Sequence, residues 1–157
     1  MGPPFITATH RGFLIGFVGW VAPVPPITAL LVLSSLLQPG DVYRSTPGPW
    51  LSFVSLCLFA PLLETVLLIV PTVLALRAVQ KRWLACLIGC LPVVLLHVAD
   101  GWQKAVIVLG SFAWAAYCYA VLAEQKESLR TRFWFLAGIH SLGNLIVFGI
   151  HAAFGEV

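Results

Sequence analysis

A single carboxylate lies in the middle of an apolar run that is long enough to cross a lipid bilayer. The run extends from Leu51 to Leu76, and Glu64 stands about halfway along it. A carboxylate at that depth costs roughly 2.5 to 3.5 kcal/mol on insertion scales, so such a residue normally faces a protein interior or a watery cavity and has a function there. We therefore expect the rest of the chain to supply partners for Glu64 within the membrane.

The composition predicts a polytopic membrane protein without a separate soluble domain. Of the 157 residues, 60% are hydrophobic and 10% are charged, and the mean hydropathy is +0.97. These values lie outside the range of soluble domains. We expect an all-α fold in which residues 1–157 form one transmembrane domain surrounded by membrane lipid. The net charge of +3 is spread over short loops, so no nucleic-acid partner is expected.

Five apolar segments are predicted to form transmembrane helices. They cover residues 12–37, 50–76, 83–98, 105–123 and 133–154. The first segment contains three prolines that should kink or split its helix, namely Pro23, Pro25 and Pro26. The stretches 100–104 and 124–132 are the polar turns between later segments.

The distribution of positive charge predicts the orientation of the chain. With five spans, the side of the amino terminus collects seven basic residues: Arg11, Arg77, Lys81, Arg82, Lys126, Arg130 and Arg132. The other side has only Arg44 and Lys104. We expect the chain to lie in a prokaryotic cell membrane. The positive-inside rule predicts that its amino terminus is in the cytoplasm and its carboxyl terminus outside.

Small and aromatic residues add predictions about packing. Gly12 and Gly16 form a pair that permits close approach of two helices. The four cysteines lie inside apolar segments, where free cysteine behaves as a small hydrophobic residue. The six tryptophans fit belts at the membrane interfaces.

Three further polar side chains are predicted to lie near the depth of Glu64. Counting from the centres of the two cytoplasmic loops places Glu64, His97 and Asn144 at one height, with His140 one turn lower. His140 and Asn144 are four residues apart and share a helix face. This count assumes straight helices with little tilt.

One carboxylate, two imidazoles and one carboxamide at similar depth suit hydrolysis by an activated water. Partial burial makes a carboxylate such as Glu64 a stronger proton acceptor, because it disfavours the charged form. His97 could hold the same water or protonate a leaving amine. His140 and the Asn144 amide could donate hydrogen bonds to a developing oxyanion.

These residues resemble the motifs of a known family. Ala60-Pro61-Leu62-Leu63-Glu64, His97 on the next segment and His140-Ser141-Leu142-Gly143-Asn144 look like the motifs of the CAAX protease and bacteriocin-processing family of glutamic intramembrane proteases. The resemblance covers roughly residues 51–151, the expected catalytic core. It implies a metal-free endopeptidase in which Glu64 with His97 activates water, while His140 and Asn144 support the oxyanion.

The chain departs from the family pattern at three positions. Thr65 stands where a second Glu is expected, Ile69 where an Arg is expected, and Val93 where a Phe is expected. The four residues that carry the chemistry are present, so the departures concern residues that shape or brace the site. They argue against the prenyl-protein branch and leave open an inactive relative.

The expected substrate is the tail or tag of a membrane-associated or exported peptide or protein. Glu64 lies about halfway through its span and His97 close to an outer turn, which favours access from the outer leaflet. Neither the oligomeric state nor recognition of a lipid group follows from the sequence.

Other interpretations remain open from the sequence alone. Glu64, His97 and His140 could be zinc ligands of a membrane hydrolase with a fourth position for water. His97, His140 or His151 could be axial ligands in a haem-binding subunit, which a Soret band would reveal. A non-enzymatic peptide-binding or immunity protein could keep the fold without cleavage. Interhelical hydrogen bonding is a simpler use of His140 and Asn144, and His151 suits the interface.

Overall fold

The computed structural model describes residues 10–21, 53–99 and 101–153. Regular structure within these ranges is entirely helical, which confirms the predicted all-α class for them. The elements in chain order are α1 (His10–Val21), a π-helical turn (Ser55–Phe59), α2 (Ala60–Ala78), α3 (Arg82–Val98), α4 (Trp102–Glu124) and α5 (Leu129–Ala153). The three prolines of the first predicted segment lie outside the described residues.

Two helical stretches of the described part are long and apolar enough to cross a membrane. Ser55–Ala78 has 24 residues and a mean hydropathy of 2.2, and Lys104–Glu124 has 21 residues and a mean hydropathy of 1.9. Helix α3 is apolar but shorter, with 17 residues. These helices correspond to three of the predicted segments.

Two turns are shorter than the sequence predicts. Helix α4 begins at Trp102, directly after Gly101. The φ of Gly101 is 120°, a conformation open to glycine, and it turns the chain from the end of α3 into α4. Helix α5 begins at Leu129 because Ser128 acts as an N-cap, its Oγ accepting the Thr131 N–H at 3.0 Å. Much of the polar stretch 124–132 is therefore helical rather than loop.

Small residues allow the helices to approach closely. A Cβ added to Gly16 would lie 2.8 Å from Ile139 Cδ1 of α5, which confirms the predicted close approach at Gly16. Between α2 and α3, a Cβ on Gly89 would lie 2.7 Å from Thr72 Cα. The four cysteines are free and buried, as predicted for packing residues.

The core lies between α3 and α4, flanked by α2 and α5. Its largest fully buried side chains include Tyr119, Leu68, Leu122, Ile139 and Val93. Trp114 is turned towards another helix, because its Nε1–H donates to the Gly16 carbonyl of α1 at 3.0 Å. Trp83, Trp102 and Trp134 are exposed, as an interface belt requires.

Many large apolar side chains lie on the outer faces of the helices. They include Leu63, Val66, Val70 and Leu74 on α2, Leu87, Leu91 and Leu95 on α3, and Leu145 and Val147 on α5. Soluble monomers rarely expose contiguous apolar surface on this scale. The helices therefore present lipid-compatible surfaces outward, and Glu64 is one of the few polar groups that they enclose.

Candidate active site

Glu64 lies on the inward face of α2, and its side chain is 14% exposed. Its Oε1 is 3.9 Å from His97 Nε2 on α3, and its Oε2 is 3.6 Å from His140 Nε2 on α5. Each carboxylate oxygen thus has one imidazole beside it. Three helices bring together three of the four residues that the sequence singled out.

His97 is oriented by its own helix. Its Nδ1 lies 2.9 Å from the Val93 carbonyl oxygen, one turn earlier in α3. A carbonyl can only accept, so Nδ1 carries the proton. In the neutral imidazole, Nε2 is then an acceptor, and it faces the Glu64 carboxylate. The side chain is 15% exposed and turned towards Glu64, so His97 is not simply an interfacial residue.

His140 is the most buried of the three groups. Its side chain is 6% exposed, and the Phe112 ring of α4 meets the imidazole edge to face, with centroids 5.2 Å apart and planes at 87°. This contact fixes the ring plane against an apolar neighbour. Phe112 is a site residue that the sequence did not identify, since nothing in the α4 segment distinguishes it from other apolar positions.

Asn144 lies one turn beyond His140 on α5 and binds the backbone of the π-helical turn. Its Nδ2 donates to the Leu56 carbonyl at 2.7 Å. The acceptor-only carbonyl fixes the orientation of the amide. An amide nitrogen has two hydrogens, so this bond leaves a second donor on Asn144.

Pro61 explains why the Leu56 carbonyl needs a donor from another helix. The Ala60 N–H bonds to the Ser55 carbonyl, five residues back, as in a π-helix. The next bond in that register would run from residue 61 to Leu56, but proline has no N–H. Asn144 supplies the missing donor. The absent N–H at Pro61 was visible in the sequence, whereas the residue that replaces it was not.

The predicted depth of Asn144 is therefore wrong. The residue count placed Asn144 level with Glu64, but His140 is the residue beside Glu64, and Asn144 lies one turn, about 6 Å, further along α5, where it reaches Leu56. The reason is the position of α5, whose first two turns lie alongside Val66 and Val70 rather than alongside the end of α2 at Ala78. The two loops used for the count do not lie at one depth. His140, not Asn144, meets Glu64.

The three positions that depart from the family pattern are packed interior positions. Thr65 is 2% exposed, Ile69 is 7% exposed and Val93 is fully buried. The backbone of Val93 holds the His97 ring, so this position orients His97 through its carbonyl. Charged side chains at positions 65 and 69 would be buried away from solvent, which is unfavourable. The uncharged Thr65 and Ile69 avoid this cost.

Within the described residues, no three His, Cys, Asp or Glu side chains are placed so that they could hold a metal ion together. Glu64, His97 and His140, the ligands of the zinc interpretation, do not form such a group. His151 was assigned to the interface, but its side chain lies outside those that the structure describes.

The geometry around Glu64 suits a water molecule held between two acceptors. The separations of 3.6 and 3.9 Å exceed a direct hydrogen bond, and contacts of this length are commonly bridged by water. A water between Glu64 Oε1 and His97 Nε2 would donate one hydrogen to each. Both acceptors would draw protons from it, which raises the nucleophilicity of its oxygen.

Comparisons with protein-family models, with curated proteins and with solved structures find no match. Function is therefore inferred from the chemistry of the side chains around Glu64 and from the helices that hold them.

Proposed function

We propose that this chain is an intramembrane endopeptidase that hydrolyses peptide bonds with a water activated by Glu64 and His97. The observation that supports this most strongly is a nearly buried carboxylate with one imidazole beside each oxygen. Two titratable partners on two other helices, inside an apolar bundle, are typical of a site that moves protons.

The residues divide the reaction between them. Glu64 accepts a proton from water as the water oxygen bonds to the carbonyl carbon of the peptide. The carbonyl electron pair moves to its oxygen, which receives hydrogen bonds from His140 and from the second amide hydrogen of Asn144. When the intermediate collapses, the C–N bond breaks and the amine nitrogen takes the proton from Glu64, with His97 as the relay.

The membrane placement is part of the proposal. The five predicted segments, 12–37, 50–76, 83–98, 105–123 and 133–154, would supply five spans in a prokaryotic cell membrane, with the amino terminus in the cytoplasm. The exposed apolar faces of α2, α3 and α5 support this placement. The chain would then be a small, divergent member of the CAAX protease and bacteriocin-processing family, acting without a metal ion or other cofactor.

The substrate would be the tail or tag of an exported or membrane-associated protein or peptide. With the amino terminus in the cytoplasm, Asn144 and the π-helical turn lie on the outer side of Glu64, because α2 runs inward and α5 outward. The donors for the oxyanion would thus lie between Glu64 and the outer surface, which supports access from the outer leaflet. A cysteine at position 100 labelled by an impermeant thiol reagent from the cytoplasm alone would contradict this sidedness.

The test is a comparison of membrane-protein termini in cells that carry the native chain, Glu64→Gln or Glu124→Gln. Glu124 is the matched control, because it is exposed and pairs with Arg82 outside the site. We expect termini that are present with the native chain and with Glu124→Gln but are missing with Glu64→Gln. Identical termini in all three strains would contradict the proposed activity.

Two additions to this experiment separate the other interpretations. Cleavage that is lost with a tight chelator and restored by zinc would indicate a metal-dependent hydrolase. A biological effect of the chain that survives Glu64→Gln would indicate a peptide-binding or immunity protein that does not cleave.

A further inference from the structure

An apolar groove of about 560 Å³ lies between α2 and α5, outside the site around Glu64. Val66 and Val70 form its wall on α2, and Leu129, Phe133 and Trp134 form its wall on α5. Its volume falls in the range of about 300 to 1,000 Å³ that small-molecule sites occupy. The groove therefore has the size of a ligand site and no role in the proposed hydrolysis.

The lining is apolar and open to the surroundings. Four of its apolar side chains are exposed: Val66, Val70, Leu129 and Trp134. Trp134 is 57% exposed. An apolar groove in a bilayer is filled by hydrocarbon. A peptide backbone is a poor occupant, because its N–H and C=O groups would find no partners on these walls.

Arg130 gives the groove a charge at one end. It lines the groove in the first turn of α5 and is exposed. Within the described ranges, Arg82 pairs with Glu124 and two imidazoles lie beside Glu64, but no ion pair involves Arg130. A guanidinium in this setting can form paired hydrogen bonds with a phosphate.

We propose that the groove binds an anionic phospholipid, with one acyl chain between α2 and α5 and its phosphate on Arg130. Basic pockets between membrane helices commonly hold anionic headgroups. A second copy of this chain is a less suitable occupant, because its α5 would bring another Arg130 to the same surface. The site requires only that the chain lies in a bilayer, and it does not depend on peptidase activity.

Quenching of tryptophan fluorescence by brominated acyl chains tests this site. The full chain would be placed in bilayers with increasing mole fractions of brominated phosphatidylglycerol or brominated phosphatidylcholine. Subtracting the signal of Trp134→Phe isolates Trp134 from the other tryptophans. We expect half-maximal quenching at about fivefold lower mole fraction for the anionic lipid, the effect of one basic residue near the headgroups.

Three variants identify the cause of that preference. Arg130→Gln should remove the difference between the two lipids, whereas Arg77→Gln, which changes an arginine outside the groove, should retain it. Val70→Phe should reduce quenching by both lipids, because it fills the groove. Equal quenching by both lipids in the native chain, or equal losses in Arg130→Gln and Arg77→Gln, would overturn the proposal. Disulfide-linked dimers of Val70→Cys in place of quenching would assign the groove to a second copy.

Discussion

Helices α2 and α5 meet in two different ways along their length. At Glu64 and at the π-helical turn that precedes α2, polar contacts hold α5 in place, through His140 to Glu64 and through Asn144 to the Leu56 carbonyl. Near Val66 and Val70, the same helices leave an apolar groove beside Leu129 and Trp134. Between membrane helices, hydrogen bonds and close packing decide where contact occurs, because lipid is as apolar as the side chains.

The two kinds of contact differ in how easily the helices can move apart. Apolar helix faces can separate with little cost in free energy, since acyl chains replace the contacts between them. Polar contacts cannot, because a buried carbonyl or carboxylate left without a partner is destabilising by about 1 to 3 kcal/mol or more. The polar end therefore holds a fixed geometry, as the proposed catalysis requires, and the apolar end leaves room for the proposed lipid.

The largest expected effect comes from separating the two ends by mutation. Glu64→Gln should lower turnover by about 10²- to 10⁴-fold, because it removes the proposed general base, and should leave the lipid preference at Trp134 unchanged. Val70→Phe should reduce quenching of Trp134 by lipid and should leave turnover unchanged. Cleavage in proteoliposomes and lipid quenching, measured on both variants, provide the comparison. If each variant changed both readings equally, the two ends would be one functional unit.

Asn144→Ala should have the next largest effect. It removes the proposed donor to the oxyanion and leaves the Leu56 carbonyl without its partner, so turnover should fall by about 10²-fold or more. Ser141→Ala, on the same helix beside His140, is the matched control and should cleave normally. Near-normal turnover of Asn144→Ala would remove its assigned role and leave only an interhelical hydrogen bond.

Pro61→Ala tests the link between the π-helical turn and Asn144. Alanine restores a backbone N–H at position 61, which then competes with Asn144 for the Leu56 carbonyl. The hydrogen bond between Asn144 and Leu56 contributes about 0.5 to 1.5 kcal/mol, so its loss should lower turnover by up to about tenfold. Thermal stability should be retained, because the new N–H replaces the lost donor. The effects of Pro61→Ala and Asn144→Ala should not add in the double variant. Additive effects would mean that the two residues act independently.

Much of the fold follows from hydropathy. The segments 83–98 and 105–123 match α3 and α4 closely, because a continuous apolar run leaves a membrane helix few alternatives. The pairing of Glu64 with His97 also agreed with a simple residue count, since α2 and α3 share one short turn. The count failed for Asn144 because α5 follows a different turn, whose depth depends on packing.

Some features depend on rotation about the helix axis, which hydropathy does not determine. Trp114 and Trp134 look alike in the sequence, yet one bonds to the Gly16 carbonyl and the other lies at the rim of the groove. Phe112 packs on His140 for the same reason. The missing N–H at Pro61 is predictable from the sequence, but only the position of α5 identifies Asn144 as the donor that replaces it.

The most direct test of the central claim is the ¹⁵N NMR spectrum of the histidine side chains in the native chain and in Glu64→Gln. The chain has four histidines, which His97→Gln and His140→Gln variants would assign. We predict that His97 carries its proton on Nδ1, and that Glu64→Gln shifts the Nε2 signals of both His97 and His140 but leaves His10 unchanged. If only one of these two imidazoles responded to Glu64→Gln, or neither did, the carboxylate would not lie between them.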